Sequence, residues 1–136
     1  MSDFAESTID HMGIGVSDIS QAQAFYELLL RPLEIILVMK IVNDPPGLKL
    51  GRLGFGSEGE PFFWLHESPT PSQGAHIALI AQSRAAVAAF HVAGIAAGGQ
   101  DNGAPGVRPH YHANYYAANV LGPDGMNLEA VCQVAS

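Results

Sequence analysis

The sequence predicts an α+β fold made of two tandem modules, each with the element order strand, helix, strand, strand, strand. His11 and His76 lie in similar strand-like segments, one in each half of the chain. Each histidine is followed fourteen residues later by a phenylalanine, Phe25 or Phe90, inside a helical pattern that begins at an Asp or a Ser. The shift that moves His11 onto His76, here called the module shift, therefore superimposes one half of the chain on the other.

The first half opens with a strand over 9–16, in which apolar residues alternate with His11 and two glycines. Asp18, with Gln21 three residues later, predicts the start of a helix that Pro32 ends. Branched and aromatic residues between turn signals then predict three strands, over 33–42, 48–55 and 61–67.

The second half repeats this order after a polar, Pro-rich linker. A strand begins at His76, and Ser83 caps a helix that Gly98 and Gly99 stop. The remaining elements are a short strand in a long loop over 100–112, and strands over 113–121 and 126–134. We expect one domain, 1–136, with modules over about 8–67 and 74–133 and a linker over 68–73.

The composition of the chain limits the class of protein and the partners that we expect. The chain has 136 residues, of which 48% are hydrophobic and 14% charged, as is typical of a compact globular protein. Its formal net charge of −7 disfavours nucleic acid and anionic membranes as partners. The single Cys132 cannot form an intramolecular disulfide, and no basic-then-apolar leader opens the sequence. We therefore expect a cytoplasmic protein that binds a small molecule.

Three residues predict a metal site. His11 and His76 occupy matching strand positions, and Glu129 lies in the last strand of the second half. Two imidazoles and one carboxylate are a ligand set for a divalent transition metal, and a cation would compensate an inward carboxylate. The module shift makes Trp64 the equivalent of Glu129 in the first half. Aligning the two turns at their first glycines makes Phe63 the equivalent instead.

A polar and aromatic cluster over 110–116 is the second candidate region. In the functional interpretation it walls a substrate cleft, with His112 as a general acid or base. In the alternative, its tyrosines pack across a sheet. Strand alternation puts Tyr115 and Tyr116 on opposite sides, so only one of them faces a cleft.

Three further residues are candidates for substrate binding. Arg108, in a loop, suits a substrate carboxylate or enolate, although a salt bridge within the loop is the alternative. Trp64 and Phe62 alternate onto one face and suit either an apolar cleft floor or an ordinary core role.

Four segments of the chain, over 9–14, 25–26, 74–78 and 122–129, resemble the vicinal oxygen chelate superfamily. This superfamily includes glyoxalase I, bleomycin resistance proteins and extradiol dioxygenases. The resemblance covers nearly the whole chain and implies paired βαβββ modules whose curved mixed sheets enclose a cleft. It also implies metal ligands from the first and last strands of the modules, which His11, His76 and Glu129 match.

The chain departs from glyoxalase I at the fourth ligand, where an aromatic residue replaces a glutamate, so glyoxalase I activity is not expected. His66, two residues beyond Trp64, could partly substitute for that glutamate. The remaining set resembles that of the extradiol dioxygenases, and His112 matches their acid–base histidine. Their signature tyrosine is here Asn119, and Gly122 replaces the usual polar residue before the proline.

The resulting hypothesis is a metal-dependent enzyme, either an oxygenase or a lyase or isomerase, using Fe, Mn, Zn or Ni. Its expected catalytic residues are His112 and Tyr116. Its expected substrate-binding residues are Trp64, Phe62, Arg108, Tyr115 and Asn119. The alternative is a metal-free binding protein of the bleomycin-resistance type. We expect a homodimer, with modules paired within one chain or by exchange between two chains.

Overall fold

The computed structural model describes residues 8–41 and 51–135, which form two four-stranded mixed sheets, each covered by one helix. The first module contains β1 (Met12–Val16), α1 (Ile19–Leu30), β2 (Ile36–Ile41), β3 (Arg52–Ser57) and β4 (Glu60–Glu67). The second module contains β5 (His76–Ile80), α2 (Arg84–Ala96), β6 (Gln100–Val107), β7 (Tyr116–Leu121) and β8 (Asn127–Cys132). The predicted α+β fold class and the twofold βαβββ order are confirmed.

The strand order is β1-β4-β3-β2 in one sheet and β5-β8-β7-β6 in the other, and the first strand of each module pairs in parallel with the last. Gly13 lies opposite Trp64, and Ala78 lies opposite Glu129. The module shift that moves His11 onto His76 also moves the first of these pairs onto the second. Trp64, not Phe63, is therefore the structural equivalent of Glu129.

Local side chains define where the helices begin. Asp18 Oδ1 accepts a hydrogen bond of 3.0 Å from the backbone N–H of Gln21, and Ser83 Oγ accepts one of 3.1 Å from Ala86. Both residues are the N-caps that the sequence predicts. After α2, Gly98 adopts a positive φ of 105°, a conformation that favours glycine and ends the helix.

The core lies between the helices and the sheets. In the first module Tyr26 of α1 packs against the rings of Phe55 and Phe63, at centroid distances of 6.3 and 5.5 Å. The two modules meet along their helices, where Gly94 of α2 allows close approach. A Cβ atom at that position would lie 2.8 Å from Cδ1 of Leu29 in α1. None of the described helices is long and apolar enough to span a membrane.

The differences between predicted and observed boundaries that have a clear structural cause lie at three places. β2 begins only at Ile36, because a 3-10 helix (Arg31–Leu33) and a left-handed Glu34 follow α1. β6 is longer than expected, because two irregularities in its pairing with β7 accommodate a loop-like sequence. The strand predicted over 113–121 begins only at Tyr116, because a hydrogen-bonded turn precedes it. The predicted turn over 44–47 lies outside the described residues.

Candidate functional site

Glu129 is the centre of the candidate site. Among the residues that the structure describes, it is the one polar or charged residue that is buried, with 5% exposure. His76 Nε2 donates to its Oε1 at 2.7 Å, the Tyr115 hydroxyl donates to its Oε2 at 2.6 Å, and Asn119 Nδ2 lies 3.4 Å from Oε1. The carboxylate is thus surrounded by three donors, which compensate its burial.

Strand register explains how these donors meet. Glu129 of β8 lies between Ala78 of β5 and Asn119 of β7, and residues two apart on a strand share a face. His76 is two residues before Ala78, so its ring reaches the same face as the carboxylate. The opposite face of this sheet carries the apolar residues that pack against α2.

Two asparagines extend this polar face and were missed by the sequence-based prediction. Asn127 Oδ1 accepts hydrogen bonds of 3.1 Å from Asn102 Nδ2 and from Asn119 Nδ2. The signal for Asn127 was its place two residues before Glu129, which puts both on one face. Asn102 has no comparable signal, because the pairing of β6 is irregular.

The electrostatics of the site act most clearly on Tyr115. Burial, followed by the hydrogen bond to Glu129 and the charge of its carboxylate, raises the pKa of the Tyr115 phenol to about 12. Arg108 opposes this shift, which places its positive charge near the phenol. Tyr115 therefore keeps its proton across the physiological pH range.

Tyr116 lies on the other side of β7. It pairs with Cys132, and the guanidinium of Arg84 lies 5.0 Å above its ring centroid, a cation–π contact on the side that faces α2. Of the two adjacent tyrosines, Tyr115 is thus the one that contacts Glu129.

His11 lies apart from the Glu129 face. Its Nδ1 contacts Asp10 Oδ1 at 2.6 Å, and its side chain is 63% exposed. It lines a cavity of about 640 Å³ on the first module, together with Gly13 and Trp64. Within 8–41 and 51–135 no group of three or more His, Cys, Asp or Glu side chains could hold a metal ion. The structure therefore does not bring His11 together with His76 and Glu129.

Trp64 and Phe62 lie in different cavities, so they do not form a shared floor. A register shift between Phe55 and Gly56 makes Phe62 an unpaired bulge residue. Phe62 lines a cavity with residues of β5, whereas Trp64 lines the cavity of His11. The Trp64 ring packs against Gly54, where a Cβ atom would lie 2.9 Å from it.

The turn between β6 and β7 carries the aromatic cluster. The ring of Tyr111 lies 4.1 Å from that of His110 and 5.1 Å from that of Tyr115, measured between centroids. His112 is exposed, and its Nδ1 accepts a hydrogen bond of 3.1 Å from the backbone N–H of Asn114. The turn thus joins the solvent-exposed histidines to the phenol beside Glu129.

No family model and no curated protein matches the sequence. The structure is similar to a solved glyoxalase/bleomycin resistance protein from Albidiferax ferrireducens T118, with 27% identity, a TM-score of 0.69, and coverage of 93% of this chain and 98% of that chain. Glyoxalase I from Zea mays matches at 22% identity and a TM-score of 0.68, covering 91% of this chain and 45% of that chain. This chain therefore spans about half the length of the maize protein.

The fosfomycin resistance protein FosX from Listeria monocytogenes matches at 16% identity and a TM-score of 0.63, covering 97% of this chain and 95% of that chain. Two βαβββ modules with this strand order define the glyoxalase-like class of fold. The similarity to the glyoxalase/bleomycin resistance protein supports the resemblance to the vicinal oxygen chelate superfamily that the sequence shows.

Proposed function

We propose that the protein is a metal-dependent enzyme of its superfamily that acts on a small oxygenated organic substrate at the Glu129 face. The observation that carries the proposal is the convergence of His76 Nε2 and Glu129 Oε1, which lie 2.7 Å apart. An imidazole nitrogen and a carboxylate oxygen together suit Fe, Mn, Zn or Ni as divalent ions. When bound, such an ion would act as a Lewis acid that polarises a substrate oxygen.

Two protein ligands are fewer than such a metal site needs. His11 is the equivalent of His76 under the module shift, and its side chain is exposed rather than engaged in the core. We therefore propose a homodimer in which His11 of a second copy completes the ligand set with His76 and Glu129. This arrangement corresponds to module exchange between two chains.

The chain's own residues have defined roles in this proposal. Asn119 and Tyr115 orient the Glu129 carboxylate, and Tyr115 holds a proton at its hydroxyl oxygen beside the substrate. His112, on the exposed turn that leads into Tyr115, is the proposed general acid or base. Tyr116 has no part in it, because it faces α2.

Metal binding is the first test. Addition of Mn(II), Fe(II), Zn(II) or Ni(II) to the protein should raise its melting temperature, and His76→Ala should lose this stabilisation. His91→Ala is the matched control, because His91 pairs with Asp101 outside the site and should leave the stabilisation intact. Absence of bound metal and of any metal-induced stabilisation in the wild type contradicts the proposal.

The second test asks which chain supplies His11. His11→Ala and His76→Ala homodimers should both lack metal-induced stabilisation. If sites are shared between chains, a mixed dimer of the two variants has one site with both histidines intact. Mixing after partial unfolding should then restore metal binding at that one site of each mixed dimer. Sites built within one chain would give no recovery.

A second candidate function is a metal-free binding protein for a small molecule. It is favoured by one observation: the buried Glu129 carboxylate already has three donors, so its burial does not require a cation. In that case ligands would bind the same face, and His76→Ala would change ligand affinity in protein that shows no response to any of the four metals.

A further inference from the structure

Arg108 has an unusual position beside the Glu129 face. Its Nη2 donates to the carbonyl of Ala104 at 3.0 Å, and its Nη1 donates to the carbonyl of Gly106 at 3.1 Å. Its backbone N–H donates to the carbonyl of Tyr115. The guanidinium is therefore held against β6 by main-chain groups rather than left free in solvent.

Glycines create the space for this guanidinium. A Cβ atom at Gly103 would lie 3.1 Å from Arg108 Nη2 and 3.3 Å from Asn119 Oδ1, and one at Gly106 would lie 3.3 Å from Nη1. The guanidinium and the Asn119 amide thus both approach the same point above Gly103.

The charge of Arg108 is not neutralised by a carboxylate. In the described ranges, 8–41 and 51–135, the ion pairs are all between a histidine and an acidic residue, and none includes Arg108. A salt bridge in the loop, which the sequence left open, is not formed. Two of the five guanidinium N–H groups bond to backbone carbonyls, which leaves three donors and a full positive charge for another partner.

The position of this charge relates directly to Glu129. Glu129, Asn119 and Gly103 are paired in one row across β8, β7 and β6. Since neighbouring strands lie about 4.8 Å apart, the row from Glu129 to Gly103 spans roughly 10 Å, which is the size of a small substrate.

We propose that Arg108 binds an acid group of the substrate, so that the substrate class is a small organic acid with a carboxylate at one end and reacting oxygens at the other. A planar carboxylate matches the remaining donors of a guanidinium. Asn119 lies between the two ends of this row. This inference rests on the proposed function for the location of the reacting oxygens, but the acid-binding step does not require a metal.

The test uses benzoate and its uncharged analogue benzamide as probes, with protein stripped of metal on a chelating resin. Titration followed by NMR should shift the backbone amide signals of Gly103 and Tyr115 with benzoate, with benzamide binding at least tenfold more weakly. Arg108→Gln should weaken benzoate binding tenfold or more. Arg108→Lys keeps the charge but not the planar fork, and should recover part of the affinity.

Arg31→Gln is the matched control, because Arg31 is an exposed residue of the 3-10 helix that follows α1 in the first module. This variant should bind benzoate as the wild type does. Equal binding of benzoate and benzamide by the wild type, or unchanged benzoate binding in Arg108→Gln, overturns the proposal; the first comparison does not depend on any variant folding.

Failure of this inference and failure of the proposed function give different results. If Arg108 does not bind an acid, benzoate selectivity is absent while metal-induced stabilisation and its loss in His76→Ala persist. If the metal site is wrong, the metals have no effect while benzoate still binds in an Arg108-dependent manner.

Discussion

Tyr115 and Glu129 are joined by a hydrogen bond of 2.6 Å between the phenol and the carboxylate Oε2. This bond connects the end of the aromatic turn to the centre of the second sheet. The turn and the buried carboxylate therefore form one unit, and a change in either should be detected at the other.

Tyr115→Phe removes this donor and should lower the free energy of unfolding by about 1 kcal/mol at neutral pH. Because the pKa of Tyr115 is about 12 in the folded protein and near 10 when unfolded, the phenol stabilises the fold fully below pH 10. That stabilisation is lost as the pH rises from 10 through 12.

Alkaline absorbance titrations are recorded for the wild type and for Tyr115→Phe. The difference between the two curves should show a group that ionises near pH 12. Tyr116→Phe is the control, because Tyr116 lies on the other side of β7 and loss of its hydroxyl should leave that titration in place. A difference curve centred near pH 10 would contradict the assignment.

Glu129→Gln should destabilise the protein by about 1–3 kcal/mol, because a carboxylate that accepts from Tyr115 and His76 is replaced by an uncharged amide. Chemical denaturation measures the change. Glu60→Gln, at an exposed position of β4, should stay within about 0.5 kcal/mol of the wild type. Equal stability of both variants would show that the donors around Glu129 contribute nothing.

Gly54→Ala should disturb the only tryptophan of the chain. The new Cβ atom would lie 2.9 Å from the Trp64 ring, so the ring must shift, at a cost of about 1–3 kcal/mol. Gly13→Ala is the matched control on the other side of Trp64, where the new atom would lie at an ordinary 3.6 Å. Trp64 emission should change in the first variant and not in the second.

Gly94→Ala should lower stability although alanine favours helices. Its Cβ atom would lie 2.8 Å from Leu29 and 3.0 Å from the methyl groups of Val120. This crowding should cost about 1–3 kcal/mol, which exceeds the gain in helix propensity. Denaturation of the double variant with Leu29→Ala provides the check. Relief of crowding should make its loss smaller than the sum of the two single losses. Additive losses would refute the contact.

Much of the fold could be predicted because local sequence patterns specify the elements of each module. Alternation identified the strands, and Asp18 and Ser83 identified the helix starts. The repeat offered Trp64 or Phe63 as the equivalent of Glu129, and the observed strand register selects Trp64. The length of β6 could not be predicted, because a strand with bulges has the glycines and prolines of a loop.

Within the candidate site, the repeat and strand pattern pointed to Glu129 and His76, whereas Asn119 came from the family resemblance. The sequence could not identify how His11 lies relative to them, because that depends on how the two modules pack and not on any pattern within one module. It also could not separate Phe62 from Trp64, since a bulge reverses the side to which a residue points.

The packing of Trp64 against Gly54 also predicts how many binding sites each chain has. In the first sheet an indole ring occupies the register position that holds the carboxylate in the second, and Gly54 stands where the second sheet has Asn119. The duplicated modules are therefore not duplicated sites. We expect binding of metal or ligand to saturate at one equivalent per chain, although the two modules share the same architecture.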